Sequence, residues 1–207
     1  MSEIKLSWSG IGYERHQALI TEIGLVSIRF NALELSLRSI FVHFMPSARV
    51  GAYIFEKLSG FQRKYLFPEI INCSYIPQPN QMQIREFFNY VEIAISNRNI
   101  IAHSFIEPLE TGSGPTLRLS EFIKKNPIEI KSLVINHSDL KTIANDFHAL
   151  AVCGHSIYRY LFRLKLEREQ AWTQEHERIL DGTFPTIPQP PLGLASRSNT
   201  DMPKNRR

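Results

Sequence analysis

Cysteine is nearly absent from this 207-residue chain: Cys73 and Cys153 are the only two. They stand far apart and without the close spacing of a metal site, so a multi-cysteine metal centre and a disulfide-built scaffold are excluded, and free thiols are expected. Long apolar runs are also missing. No stretch is long and apolar enough to span a bilayer, and the start of the chain lacks the charged and apolar parts of a signal peptide. The expected location is therefore the cytoplasm. A strong charge of one sign is lacking as well. The net +4 comes from 24 basic and 20 acidic residues. Residues 182–207 hold four basic groups (Arg197, Lys204, Arg206, Arg207) and one acid (Asp201), a net +3, which leaves 20 basic and 19 acidic residues, or +1, for the rest. With a nearly balanced body, the basic net charge is not evidence of a nucleic-acid groove, although a small phosphate site could still be locally positive. No internal repeat is evident, and His16, His43, His137, His148, His155 and His176 show no metal-ligand pattern.

What the chain does have is core material. Hydrophobic residues make up 43% and aromatics 11%, with thirteen phenylalanines, enough for a packed domain, and the length favours one. After an irregular arm over 1–12, the spacing predicts a long helix over about 13–45. Its stripe is Leu19, Ile23, Val26, Phe30, Leu33, Leu37, Phe41 and Phe44, three or four apart. Pro46 ends it. Ser47 can cap a second helix to about 58, a further helical piece is expected around 61–68, and 69–80, with Pro77 and Pro79, reads as a connector. A third main helix is expected from Asn80, which with Gln83 has capping-box spacing. Its face of Ile84, Phe87, Phe88, Val91, Ala94 and Ile95 leads to Arg98 and ends near His103. Phe105–Leu109 and Leu117–Leu119 flank Thr111-Gly112-Ser113-Gly114-Pro115, a hairpin signal, and Ile128–Ile135 suits a short strand. The last helix is expected from Ser138, on a seam of Leu140, Ile143, Phe147, Leu150, Gly154, Ile157, Leu161 and Leu164, and to run on to about Leu180. That seam suits packing within the bundle or across a dimer, with Gly154 permitting close backbone approach. Residues 182–207, rich in Pro, Ser and Arg, read as a disordered tail.

Chemistry concentrates at Arg98-Asn99-Ile100-Ile101-Ala102-His103. Arginine stays charged and offers a fork of donors to phosphate, and histidine can move a proton near neutral pH. Arg98 follows Ala94 by four positions and should continue the inner face, whereas His103 is five beyond Arg98, so convergence is expected to need a tightened or unwound helix end near Ala102. Metal-free RNA cleavage needs a base for the 2′-hydroxyl, a cation or donor at the phosphoryl oxygens and an acid for the 5′ leaving oxygen. One histidine cannot easily do both proton jobs at once. A two-fold dimer bringing two Arg–His sets into one cleft would supply the second.

These residues carry a resemblance. The chain resembles the HEPN superfamily (higher eukaryotes and prokaryotes nucleotide-binding domains), whose members are helical bundles with an Arg-(Asn)-several-His motif near a helix end. RNIIAH is the form here: Arg98 matches the family arginine, Asn99 the polar residue that often follows, and His103 the catalytic histidine. A polar or acidic residue in the first long helix is also frequent, and Glu34 matches it best, with Asn31 one turn before. The resemblance covers about residues 13–180 and leaves the tail unexplained. It implies an all-α antiparallel bundle, with a long C-terminal helix and a small extended or hairpin insert, over residues 13–181. It also implies a homodimer and a metal-independent endoribonuclease without a cofactor, of the kind found in toxin–antitoxin, phage-defence and RNA-processing systems. The products would carry 2′,3′-cyclic phosphate and 5′-hydroxyl ends.

Each residue also has a plainer reading. Arg98 could simply pair with a bundle acid such as Glu34, His103 could sit satisfied beside the helix dipole, and Asn99 could be a local cap. Glu34, among Leu33, Leu35 and Leu37, needs a partner if buried. Arg98 or His103 is the expected one, with Arg38 competing. Ser104 could donate to phosphate or face water. The rival function is a non-catalytic helical module that binds a nucleotide, RNA or a protein. A third is a nuclease held inactive by an antitoxin.

Overall fold

The computed structural model describes residues 13–72, 75–111, 114–123, 129–170, 173 and 183–195. The expected arm over 1–12, the extension of the last helix through 174–180, the end of the tail and Cys73 lie outside the described residues. Among the described residues the fold is mainly α, with five helices and one three-stranded antiparallel sheet. The helices are α1 (Tyr13–His43), α2 (Ala48–Lys57), α3 (Gly60–Asn72), α4 (Gln78–His103) and α5 (His137–Arg168), and the strands between α4 and α5 are β1 (Phe105–Thr111), β2 (Gly114–Ile123) and β3 (Glu129–Asn136). The sheet makes the chain mainly rather than purely helical. No helix among the described residues is long and apolar enough to cross a membrane.

The chain divides into two compact units. One comprises Arg29–Ala94 and Asp146–Pro191. Its core is aromatic: Phe30 meets Phe147, Phe41 meets Phe55 and Phe67, and Phe67 stacks on Phe88 at 4.3 Å between centroids. Helix directions follow from paired contacts. Phe30 faces Phe147 and Ser36 faces Gly154, so α1 and α5 run the same way, while Asn80 bonds Tyr160 and Phe87 lies beside Gly154, so α4 opposes α5. The expected seam on α5 is buried from Phe147 through Leu161. At Gly154 the packing is tight: a β-carbon there would stand 2.5 Å from Ser36 Oγ and 3.0 Å from Phe87 Cζ.

Helix ends depart from expectation in instructive ways. Ser47 occupies the N-cap of α2 but makes no side-chain cap bond. The reciprocal box forms at α3 instead, where the Ser59 N–H donates to Gln62 Oε1 (2.8 Å) and the Gln62 N–H to Ser59 Oγ (3.2 Å). That helix runs through Pro68 to Asn72, well into the expected connector. Helix α4 begins at Gln78, with Pro79 in the first turn, where a missing N–H costs little. Asn80 therefore caps nothing and its amide reaches Tyr160. Helix α5 ends at Arg168, with Gln170 in the left-handed region at φ 54°, rather than running unbroken to Leu180.

The other unit comprises the residues up to Ile28, Ile95–Asn145 and the chain from Leu192. Its buried residues include Leu19, Val26, Ile101, Leu117, Leu119, Ile135, Leu140, Ile143 and Leu194. The expected hairpin and third strand form one meander, with Phe105 opposite Ser120 and Leu117 opposite Ile135. Alternation sets its faces. Leu117, Leu119 and Ile135 point inward, while on the other face Arg118 pairs with Glu107 at 3.0 Å and Val134 is exposed. A second capping box starts α5: the Asn136 N–H donates to Asp139 Oδ2 (3.1 Å) and the Asp139 N–H to Asn136 Oδ1 (2.9 Å). Ser138, the expected cap, lies inside the first turn. Residues 183–195 were expected as disordered tail, yet they form ordered irregular chain, and within this unit Leu194 is buried.

Candidate functional site

Helix α4 delivers the motif. Its apolar stripe of Ile84, Phe87, Phe88, Val91 and Ala94 is buried and continues through Asn97 and Ile101, not through Arg98. The expectation that Arg98 carries on the inner face is corrected by one position: Asn97, three beyond Ala94 and four before Ile101, takes the buried place. Arg98 is left half-buried at the edge of the stripe, with Asn99 and His103 exposed.

No unwinding is needed to bring Arg98 and His103 together. The helix is intact to His103, and the Ser104 N–H still donates to the Ile100 carbonyl at 3.1 Å. In a regular helix five residues amount to about 140° of turn and roughly 7.5 Å of rise, which the long arginine side chain can bridge. Arg98 Nη1 lies 3.5 Å from His103 Nε2 and donates to Asn99 Oδ1 at 3.2 Å. Guanidinium only donates, so this contact is a hydrogen bond only where Nε2 carries no proton. His103 is the last residue of α4, so no following turn of its own helix covers the ring. A cationic fork and an exposed imidazole thus converge where an anionic phosphoryl group could approach both.

The expected supporting residues Asn31 and Glu34 belong to the unit that holds Arg29–Ala94, where Asn31 is exposed. Glu34 is held by Arg63, whose Nη1 donates to Glu34 Oε1 at 3.0 Å. Arg63 also donates to the Phe55 carbonyl at 3.1 Å and lies over the Phe55 ring at 4.1 Å, so it locks α2 and α3 to α1. The expected competitor, Arg38, pairs instead with Glu56 at 3.3 Å. Ser104 is half-buried just beyond the motif.

Two features were missed from the sequence. One is Asn97, completely buried, whose side-chain amide donates to the Leu192 carbonyl and whose Oδ1 accepts the Leu194 N–H at 2.9 Å. A polar residue on an apolar stripe signals a buried hydrogen-bonding need, but not its partner. The other is a shallow depression lined by Gln17, Ala18, Thr21, Glu22 and His137, where His137 Nε2 lies 3.5 Å from Glu22 Oε1. Arg98, Asn99 and His103 are not among its lining residues.

Elsewhere, burial and Lys165 lower the pKa of His43 to about 4, and its Nε2 is hydrogen-bonded to the Tyr75 hydroxyl at 2.9 Å. Burial raises the Cys153 thiol to about 11. Among the described residues no group of three His, Cys, Asp or Glu is placed to hold a metal ion. No family model, curated protein or solved structure matches this chain.

Proposed function

We propose that this chain is a metal-independent endoribonuclease of HEPN type. The observation that carries the reading is the pairing of Arg98 and His103 at the open end of α4, with Nη1 and Nε2 3.5 Å apart and the imidazole exposed. In the proposed reaction His103 removes the proton from a 2′-hydroxyl, and the freed oxygen forms a bond to phosphorus as the bond to the 5′ oxygen breaks. Arg98 stabilises the charge that builds on the phosphoryl oxygens. Asn99, which accepts from Arg98, holds the fork in place. The departing 5′ oxygen takes a proton, leaving a 2′,3′-cyclic phosphate and a 5′-hydroxyl. A second His103, from another copy in a homodimer, would supply that proton, and RNA is the substrate. A cytoplasmic toxin or phage-defence setting, with an antitoxin or defence partner, is part of the same proposal.

Glu34 and Asn31 enter only as support, because Glu34 is already engaged by Arg63. The second reading is a non-catalytic helical module binding a nucleotide, RNA or protein. It is favoured by the same exposure of Asn99 and His103, which suits binding as well as turnover.

The deciding experiment incubates purified protein with mixed RNA in excess EDTA, beside His103→Ala and Arg98→Ala. Cleavage by the wild type that ends in cyclic phosphate and is lost in both variants is the expected result. Activity retained in either variant would overturn the mechanism. Binding of RNA or nucleotide without cleavage would favour the module.

A further inference from the structure

Asn97 is the most deeply buried polar side chain among the described residues, and both its hydrogen-bonding ends are used on one short piece of chain. In extended backbone the carbonyl of one residue and the N–H two residues on point the same way. A side-chain amide, with a donor and an acceptor side by side, matches that pair. Here it grips the Leu192 carbonyl and the Leu194 N–H, while the buried Leu194 side chain anchors the segment.

The position of this contact matters because Asn97 adjoins Arg98 and stands in the last two turns of α4. The final carbonyls of a helix lack partners within it, so an end turn frays readily unless something holds it. Asn97 and the buried Ile101 fix the rotation of this end about its axis. A rotation of about 20° would carry a side-chain tip about 6 Å from the axis through roughly 2 Å. The geometry of a reacting group tolerates less than that.

We propose that Asn97 and the Leu192–Leu194 segment form a clamp that positions Arg98 and His103, so that seating of this C-terminal segment sets the activity of the motif. The inference rests on the ribonuclease reading for its effect on cleavage. Asn97 is a positioning residue here, acting through the helix rather than on the substrate.

The test uses the full chain. Leu194→Pro removes the N–H that Asn97 accepts and keeps apolar bulk, and Leu194→Ala weakens the anchor while keeping that N–H. Asn97→Leu removes both bonds at similar volume. Thermal unfolding shows which variants are folded, and hydrogen exchange of the backbone around 192–194 shows whether the segment is released. His103 imidazole resonances, followed against pH, report the motif independently of activity, and cleavage is measured as kcat and KM separately. In folded variants with a released segment, His103 resonances should move and kcat should fall by roughly tenfold or more with KM little changed. Unmoved His103 resonances with a released segment would overturn the clamp. So would moved resonances with an undiminished kcat. If the wild type cleaves nothing yet the resonances move on release, the clamp is supported and the ribonuclease reading alone fails.

Discussion

Removing the Glu34 carboxylate tests whether that residue serves the fold or the motif. Arg63 is mostly buried, with 18% of its side chain exposed, whereas Glu34 retains 42%. An ion pair fully in water contributes about 0.2–1 kcal/mol, and breaking a fully buried one costs about 3–5 kcal/mol. The half-exposed carboxylate places this pair between those limits. The Phe55 carbonyl and ring also remain to satisfy Arg63 after the change. Glu34→Ala should therefore destabilise the protein by about 1–2 kcal/mol. For a chain of this size that lowers the thermal midpoint by roughly 2–8 °C. The assay is unfolding followed by circular dichroism, run beside Arg63→Met and the double variant. If the pair is the main role, the double variant should be clearly more stable than the sum of the single losses requires. RNA cleavage, measured well below the midpoint, should then survive in Glu34→Ala. An unchanged midpoint together with lost cleavage would refute the reasoning and place Glu34 in the service of Arg98 or His103.

Two further perturbations probe the packing and the pH response. Gly154→Ala gains about 1 kcal/mol of helix propensity, but its β-carbon would meet Ser36 Oγ at 2.5 Å, and that hydroxyl is held by the Leu33 carbonyl at 2.8 Å. Overpacking of about 1–3 kcal/mol should win, so the denaturation midpoint should fall and partly recover with Ser36→Ala; a rise in Gly154→Ala alone would show slack at the contact. His43, lowered to about 4 when folded, binds fewer protons than its unfolded form below its ordinary value near 6.5. Its contribution is intact above that value and is lost as pH falls from 6.5 toward 4. After allowance for partial exposure the loss is about 2 kcal/mol. Urea unfolding across that range should therefore weaken the wild type more than His43→Gln, and equal slopes would refute the assignment.

The long helices were legible because each repeats an apolar position every three or four residues over many turns, so an error at one position changes little. Leu19 to Phe41 on α1 and Leu140 to Leu161 on α5 show this. Helix ends were less legible, since a cap is a reciprocal act between two residues. Ser59 with Gln62 and Asn136 with Asp139 each have a partner three residues on that completes the box. Ser47 and Ser138 were good cap types on composition alone. What could not be read was tertiary pairing at long range. Nothing local ties Glu34 to Arg63, 29 residues away, or Asn97 to Leu194. The Pro-rich stretch 183–195 carries no periodicity, so contacts such as Leu194 with Asn97 and Phe184 with Tyr160 leave no trace in its own sequence.

The motif itself was legible, and the reason its spacing works was not. The expected tightening or unwinding near Ala102 is unnecessary because the reach of Arg98 absorbs the turn between positions five apart. Spacing alone would therefore let many Arg–His pairs meet on helices. The placement of His103 as the last helical residue is more discriminating. One turn earlier, residues three and four further on would stand beside the ring and narrow the approach of a ligand. At the end of α4 the chain leaves as β1, and the ring stays exposed. On the ribonuclease reading this openness is what a second proton-transfer group needs, because a single imidazole cannot act as base and acid at once on opposite sides of the phosphorus. A shared cleft of this kind can be detected in a mixture of chains. Inactive His103→Ala chains titrated into the wild type, in a sample shown to exchange subunits, should lower cleavage in proportion to the share of wild-type homodimers, because a mixed dimer holds one imidazole in its shared cleft. A fall only in proportion to the wild-type chains themselves would remove the composite site and leave a single histidine to explain any activity.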